Sequence, residues 1–316
     1  WFGGDNNRKH FSTIMDIDPR LWYIRTRKYS VIALRGQGSH IQLMTPQNEE
    51  APQTAVGAAL NVLGCNDADM KALLTTKYVS LWQKGGLALP LPSHHFEVPD
   101  EPVRPNNICM VPMSKVKQGS QKAIMHSLAH AENYAIDLMW DIVARFYYED
   151  MPREFYDDWI RIAGEEAKHY NKWQEQLKAF GSFYGDLTAH NSLWESASDT
   201  ADDLLKRLAV VHLVHEARGL DVAPLLRRKL ERCHGPAAAA ALAVLEGNAA
   251  EEVGHVGAAR RWFGFLARRR GLDPVAAFHK IVRENFHGKL RPPFNKEMRD
   301  QAGLTEDYYL PLAETR

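Results

Sequence analysis

The sequence predicts an all-α protein whose centre is a four-helix bundle. Hydrophobic residues recur with the 3.6-residue period of an amphipathic helix in four long segments. The separators between these segments carry glycine and proline, which stop helices. A repeated pattern of glutamate and histidine, described below, marks one face of each segment. The segments lie at about residues 119–148, 152–180, 199–221 and 236–269.

The first 118 residues precede the bundle and divide into two regions. Residues 1–53 mix aromatic, charged and β-branched residues with no sustained period, so we expect an irregular N-terminal arm. Residues 54–118 begin as a helical segment, in which "CNDAD" is expected to end one helix and cap the next. The remainder, from "ALPLPSHH" onward, is rich in proline and is expected to form an extended connector.

Residues 119–270 hold the predicted bundle, and residues 271–316 are expected to form a C-terminal helix and a wrapping tail. We expect the third bundle helix to stop at "LDVAP", where Pro224 would open a separate short basic helix that ends at Gly235. The tail "LRPPFNKEMRDQAGLTEDYYLPL" is expected to be irregular. The full prediction is therefore a four-helix bundle with additional helices and irregular N- and C-terminal extensions.

Charge and cysteine content narrow the class of protein. The 316-residue chain carries 39 basic and 39 acidic side chains, so no net field attracts nucleic acid, and we predict no nucleic-acid partner. The three cysteines form no C-x-x-C pair, which is typical of free thiols in a reducing intracellular compartment. No apolar run reaches the ~18 residues that span a bilayer, so we predict no transmembrane segment. A mitochondrial location stays open, because a targeting segment before Trp1 would not be visible.

The motif E-x-x-H occurs four times, and its context separates two core-facing copies from two surface copies. The copies are Glu166/His169, Glu231/His234, Glu252/His255 and Glu284/His287. The i, i+3 spacing places both members on one face of a helix. Glu231/His234 lies among basic residues, and Glu284/His287 lies in the last turn of a short helix. Both are therefore interpreted as surface pairs. Glu166/His169 and Glu252/His255 lie on helix faces whose other residues are apolar, so they are predicted to point into the core.

A single glutamate precedes each core-facing pair, so the pattern is used twice. Glu132 lies 34 residues before Glu166, and Glu216 lies 36 residues before Glu252. Each single glutamate opens an E-x-x-x-x-D motif, and each pair is written E-E-x-x-H. The added residues are Asp137, Glu165, Asp221 and Glu251. The sequence thus predicts one helical hairpin repeated with the same polar residues facing inward.

These six inward-facing residues form the predicted ligand set of a metal centre: Glu132, Glu166, His169, Glu216, Glu252 and His255. In four-helix bundles a glutamate from each of two helices and E-x-x-H from the other two converge on two metal ions, about 3.5–4 Å apart. Four carboxylates balance two divalent ions, and carboxylate with imidazole suits iron or manganese. We predict two iron ions, with manganese as the alternative. For any one residue a buried structural role is the simpler interpretation, but the repeated order favours metal.

Further residues flank the predicted ligands. Each of the four added acids is placed to accept the second ring N–H of a ligand histidine, and the sequence leaves open which of them does so. Four more histidines lie nearby, at His126, His130, His212 and His215. The ligand set is complete without them. No residue is assigned a catalytic role from the sequence.

Several stretches carry a resemblance to a known family. They are "HAENYAIDLMWDIVARF", "EEAKHY", "YGDLTAHNSLWE", "EARGLDVAP", "EEVGHVGAARRWF" and "PPFN". Through them the chain resembles, over about residues 55–316, the ferritin-like family called domain of unknown function 455. The resemblance implies a ferritin-like bundle and a di-iron carboxylate centre distantly related to that of tRNA-hydroxylating monooxygenases. It leaves the substrate open.

Two functions of different classes are compatible with these features. The first is a di-iron oxidoreductase that activates O₂ toward an unidentified substrate, with electrons from an external donor because the chain has no G-x-G-x-x-G fingerprint. The second is a non-catalytic accessory subunit of a larger assembly, in which the metal site is retained for structure or lost. An O₂-dependent optical change favours the first, and stoichiometric co-purification with partner proteins favours the second.

Overall fold

Residues 1–52 form one unit of the chain and residues 53–316 another. The computed structural model describes residues 52–91, 93–116 and 119–313, together with the backbone of two strands in the first unit. Strands β1 (Leu21–Arg25) and β2 (Ser30–Leu34) pair antiparallel. The predicted irregular arm over residues 1–53 missed this pairing, because "LWYIR" and "SVIAL" are rich in strand-forming residues but too short to show a period. Residues 1–20, 26–29 and 35–51 of that arm lie outside the described residues.

Two helices begin the second unit. Helix α1 (Ala55–Leu63) starts after Thr54, whose side chain accepts a hydrogen bond from the Gly57 amide. Helix α2 (Ala68–Gln83) starts after Asp67, whose carboxylate accepts from the Met70 amide at 2.7 Å. Asp67 therefore has the capping role that the "CNDAD" break predicts. From α2 to the next helix, the described residues are irregular except for a 3₁₀ turn at Met113–Lys115.

Four long helical stretches follow, with one short helix between the second and third. They are α3 (Gln121–Arg145), α4 (Arg153–Ala179), the short α5 (Ser192–Ser198), a stretch made of α6 (Leu204–Ala209), a π-helical segment (Val210–His215) and α7 (Glu216–Glu231), and then α8 (Pro236–Arg269). A short 3₁₀ turn, Tyr147–Glu149, separates α3 from α4. The π-helical segment is a local widening of a kind often found at functional sites.

Pro224 lies inside α7, so the predicted helix end at "LDVAP" is wrong. Proline has no N–H, and an interior proline therefore leaves the carbonyl four residues earlier without its helical donor. Here that carbonyl belongs to Leu220, and it accepts a hydrogen bond from the Asn295 side-chain amide at 3.2 Å. The helix continues through Pro224 because a distant segment supplies the missing donor.

Three further helices complete the described chain: α9 (Pro274–Asn285), α10 (Lys296–Gln301) and α11 (Glu306–Tyr309), with a 3₁₀ turn at Leu310–Leu312. Helices α10 and α11 lie in the tail that the sequence predicted to be irregular. Both are too short to show a period, and α10 begins at Asn295, whose side chain accepts from the Met298 amide. Among the described residues, none of the helices combines the length and apolar character needed to cross a membrane.

The four long stretches pack in an open ring that positions the site. Helix α3 packs along α4, α4 against α8, and α8 along α7, while α1 and α2 cover the outer side of α3 and α4. Large aromatic side chains fill the space between them, among them the fully buried Trp140, Trp159 and Trp173. Among the described helices, α3 and α7 lack close packing of this kind with each other. The described part of the second unit is therefore all-helical, as the sequence predicts, and its ring is loosest between α3 and α7.

Candidate metal centre

The structure brings the six predicted ligands together between the four long helical stretches. Helix α3 supplies Glu132, α4 supplies Glu166 and His169, the start of α7 supplies Glu216, and α8 supplies Glu252 and His255. One donor atom from each of four of them lies within 4.8 Å of the others: Glu132, Glu166, His169 and Glu252. The described residues thus contain a buried Glu/His cluster that could hold a metal ion.

Two carboxylates lie between the two imidazoles. Nδ1 of His255 is 2.8 Å from Oε1 of Glu166 and 3.2 Å from Oε2 of Glu252. Nδ1 of His169 is 3.5 Å from Oε2 of Glu166 and 3.4 Å from Oε1 of Glu252. The imidazole rings are stacked, with their centroids 5.8 Å apart. Both E-x-x-H pairs therefore direct the same ring nitrogen, Nδ1, to a common centre.

The outer nitrogen of each imidazole is held by a carboxylate from the opposite hairpin. Nε2 of His169 lies 2.9 Å from Oε2 of Glu251, and Nε2 of His255 lies 2.8 Å from Oε2 of Glu165. A proton on Nε2 donates these hydrogen bonds and leaves the lone pair of Nδ1 free for a metal ion. Of the four acids that the sequence offered for this role, Glu165 and Glu251 make the contact.

Asp137 and Asp221 do not contact the histidines, and the expectation that they could orient them is wrong for both. Asp137 pairs with the fully buried Lys71 at 2.7 Å and with Arg104. Asp221 accepts from Nε and Nη2 of Arg299 at 2.8 and 2.7 Å. A cation from a distant segment neutralises each of these buried aspartates, so they fasten flanking segments to the bundle.

Several polar atoms at the centre are buried and, apart from their close contacts with one another and with Glu252, have no hydrogen-bond partner among the described residues: Oε1 and Oε2 of Glu166, Nδ1 of His169 and Nδ1 of His255. Buried polar atoms without partners are costly and are rare in folded proteins. All four are electron-pair donors, and they converge on one place. The donor set therefore fits a cation, since a metal ion would satisfy every one of them.

Protonation at the centre follows from the crowding of carboxylates. Burial and the charges of Glu166 and Glu252 raise the pKa of Glu132 well above its usual value. Burial and the charges of Glu252 and Glu166 likewise raise the pKa of Glu216. Burial alone would lower the pKa of His169, but its close contacts with the Glu166 and Glu252 carboxylates raise it to about 10. Without a cation the centre therefore retains protons, which a divalent ion would displace.

The two single glutamates have different surroundings. Oε1 of Glu132 accepts from the indole N–H of Trp173 at 3.2 Å and from the Asn248 amide at 3.5 Å. Within the described chain, no side chain or backbone amide donates to Glu216, which lines a cavity instead. Trp173 lies seven residues after Glu166, on the same face of α4. Its donor role was missed because it depends on how α4 packs against α3.

The four flanking histidines are not in the cluster. His126 accepts from the Gly185 amide at 3.0 Å, and His130 lies between the Tyr184 hydroxyl and the His190 carbonyl. Nε2 of His215 is 2.8 Å from Oγ of Ser196. The ring of His212, in the π-helical segment, packs on Trp159 and has no hydrogen bond among the described residues.

The two E-x-x-H copies interpreted as surface pairs lie on the surface. Glu231 is exposed and pairs with Arg227 on its own helix. His234, Glu284 and His287 are also exposed. Basic neighbours and nearby helix ends were therefore a sufficient sequence signal to separate these pairs from the buried ones.

The fold and the site define a helical protein with a buried carboxylate and imidazole cluster that could bind metal. The chain belongs to the family described as "Protein of unknown function (DUF455)", whose model matches residues 64–310. An uncharacterized protein of Haemophilus influenzae is 36% identical over 189 residues, which cover 58% of this chain and 65% of that protein. The match thus spans just under two thirds of that relative's length. No solved structure matches the chain.

Proposed function

We propose that the protein is a ferritin-like di-iron oxidoreductase that activates O₂ toward a small substrate. One observation carries this proposal: the buried donor atoms of Glu166, His169 and His255 converge on one place, where their only close polar neighbours among the described residues are one another and Glu252. Four carboxylates around them would balance the charge of two divalent ions. The combination of carboxylate oxygen and imidazole nitrogen suits iron, or manganese as the alternative.

The six residues that would hold the metals are Glu132, Glu166, His169, Glu216, Glu252 and His255. When bound, two iron ions would supply the redox chemistry that protein side chains lack. The chain contributes orientation, since Glu165 and Glu251 fix the imidazoles through Nε2. It also excludes water, because Glu166, His169 and His255 are almost wholly buried.

The remaining parts of the proposal concern electrons and location. An external protein or small-molecule donor would supply electrons, because the chain has no dinucleotide-binding fingerprint of its own. The three cysteines are free, which supports a reducing intracellular compartment, mitochondria included.

The reaction with O₂ tests the proposal. Metal-free protein is loaded with Fe(II) under argon and then mixed with air-saturated buffer, while an oxygen electrode and a spectrophotometer record O₂ uptake and near-ultraviolet absorption. We expect uptake of O₂ together with an absorption change that needs both iron and O₂. Glu166→Gln is expected to abolish both signals, because it removes a buried carboxylate that lies between the two imidazoles.

Glu231→Gln is the matched control, since it changes an E-x-x-H glutamate that lies on the surface. It should react as the wild type does. Protein that binds iron tightly and leaves it Fe(II) in air would refute the oxidoreductase. Stoichiometric co-purification with partner proteins, combined with such inert iron, would instead favour the accessory subunit.

A further inference from the structure

A cavity of about 190 Å³ opens beside the metal centre on the loose side of the ring, between α3 and α7. Its floor is made by Glu132, Glu166, Glu216 and Glu252. Its walls are apolar and come from α3, the π-helical segment, α7 and α8. They include Leu128, Ala135, Val211, Leu220, Val222 and Leu245.

Small side chains create this space, and one of them is a glycine that helix stability alone does not explain. Gly219 is exposed at the cavity and lies in the interior of α7, where glycine is less favourable than alanine. A Cβ at this position would meet no other atom within 4 Å. The backbone of this lining residue therefore has room for a side chain, which we expect to narrow the cavity.

The charges around the cavity restrict what it can admit. Among the described residues, neither lysine nor arginine lines it, so an anion would find no positive partner. The remaining polar groups are engaged, since Asn248 hydrogen-bonds to Lys172 and Glu132, and His215 to Ser196. A buried charge without a partner is strongly disfavoured, whereas apolar groups gain by entering such a space.

We propose that this cavity binds a small, un-ionised, largely apolar molecule and presents it to the metal centre. Its volume sets the size, because a dry engineered cavity of about 150 Å³ admits benzene. The ligand class is therefore a one-ring aromatic or short aliphatic molecule, or the apolar end of a longer one. The role of this molecule as a substrate rests on the proposed oxidoreductase function. Its binding in the cavity is independent of that function.

The test is a titration of the full-length chain with toluene, followed by the methyl NMR signals of its leucine and valine residues. It is run on metal-free and on metal-loaded protein. Benzenesulfonate, an anion of similar size, is titrated in parallel. We expect saturable shifts with toluene in both states and, in the metal-free protein, affinity weaker by at least about tenfold for benzenesulfonate.

Two matched glycine substitutions locate the binding. Gly219→Phe is expected to weaken toluene binding by at least about tenfold, since the ring would occupy the cavity. Gly254→Phe is the control, because Gly254 is also an exposed interior glycine of a helix whose Cβ would meet nothing within 4 Å, and it does not line the cavity. If Gly219→Phe does not unfold cooperatively, Ala223→Phe on the same wall replaces it.

Wild-type protein without saturable shifts would overturn the inference, as would equal binding of benzenesulfonate, or equal effects of the two phenylalanine variants. The outcome is separable from that of the O₂ experiment. Toluene binding by protein whose iron is inert to O₂ would refute the oxidoreductase and keep the binding site. A reaction with O₂ in protein that does not bind toluene would refute the binding site and keep the oxidoreductase.

Discussion

The two helical hairpins carry the same ligand pattern in different surroundings. In the first, made by α3 and α4, Glu132 is held by two hydrogen bonds, and helices α1 and α2 cover the outer side. In the second, made by α7 and α8, Glu216 follows a π-helical segment, faces the cavity and has no donor among the described residues. The same order of ligands therefore does not impose identical roles. The first hairpin fixes its ligands, and the second leaves one side of the centre open.

The largest expected difference between the hairpins concerns their matched aspartates. Asp137→Ala removes the partner of the fully buried Lys71 and of Arg104, so we expect a loss of about 3–5 kcal/mol in the free energy of unfolding. Asp221→Ala removes the partner of the buried Arg299, a longer ion pair to the exposed Arg218 and the acceptor of the Asn295 amide. We expect a smaller loss, because Arg299 keeps its cation–π contacts with two aromatic rings. Urea unfolding of the two variants measures both values. A larger loss for Asp221→Ala would break the view that the first hairpin is the more firmly held.

A second comparison tests the contacts in which a glutamate of one hairpin holds a histidine of the other. Glu251→Gln loosens His169, and Glu165→Gln loosens His255, so each is expected to lower metal affinity by about 10- to 100-fold. The two effects should be similar in size, because the contacts are equivalent. Competition with a chelator of known affinity measures them. Glu246→Gln, an exposed glutamate on α8, should leave affinity unchanged, and an effect in only one of the two test variants would contradict the reciprocal pairing.

Trp173→Phe tests whether the hydrogen bond to Glu132 matters to the metal. The substitution keeps most of the buried ring and removes its N–H, so we expect metal affinity to fall by about tenfold. Trp194→Phe is the matched control, because its indole N–H donates to the Asp100 carbonyl rather than to a ligand. Equal metal affinities for the two variants would show that the hydrogen bond from Trp173 to Glu132 does not contribute to metal binding.

The smallest expected effect concerns the second hairpin alone. Asn295→Ala leaves the Leu220 carbonyl without its donor and α10 without its N-cap, and each loss should destabilise the protein by about 1 kcal/mol. Adding Pro224→Ala restores a backbone N–H at the position that serves this carbonyl in a regular helix, and should recover part of the loss. A double-mutant cycle in urea measures the coupling between the two positions. Strict additivity would mean that Asn295 does not compensate for Pro224.

Local patterns in the sequence were enough to find the residues that the structure brings together at the centre. The i, i+3 spacing of Glu166 with His169 is a property of one helix, and its repetition in the second hairpin separated the buried pairs from Glu231 and Glu284. The ferritin-like assignment and the identity and number of the metals remain predictions.

Long-range packing decided what the sequence could not. Glu251 reaches His169 only because α4 lies against α8, and this left the choice among four acids open. Asp137 and Asp221 were misjudged because their partners, Lys71 and Arg299, lie 66 and 78 residues away. The helix through Pro224 depends on Asn295, which is equally distant in sequence. The cavity between α3 and α7 arises from the absence of packing, which no local pattern reports.

The number of iron ions bound per chain tests whether the six predicted ligands form a two-metal centre. Metal-free protein is loaded anaerobically with Fe(II), passed through a desalting column and measured by elemental analysis against protein concentration, with Glu166→Gln and Glu231→Gln treated identically. We expect about two iron ions per chain for the wild type and for Glu231→Gln, and fewer for Glu166→Gln. One ion or none in the wild type, or an equal loss of iron in both variants, would contradict a two-metal centre at these six residues.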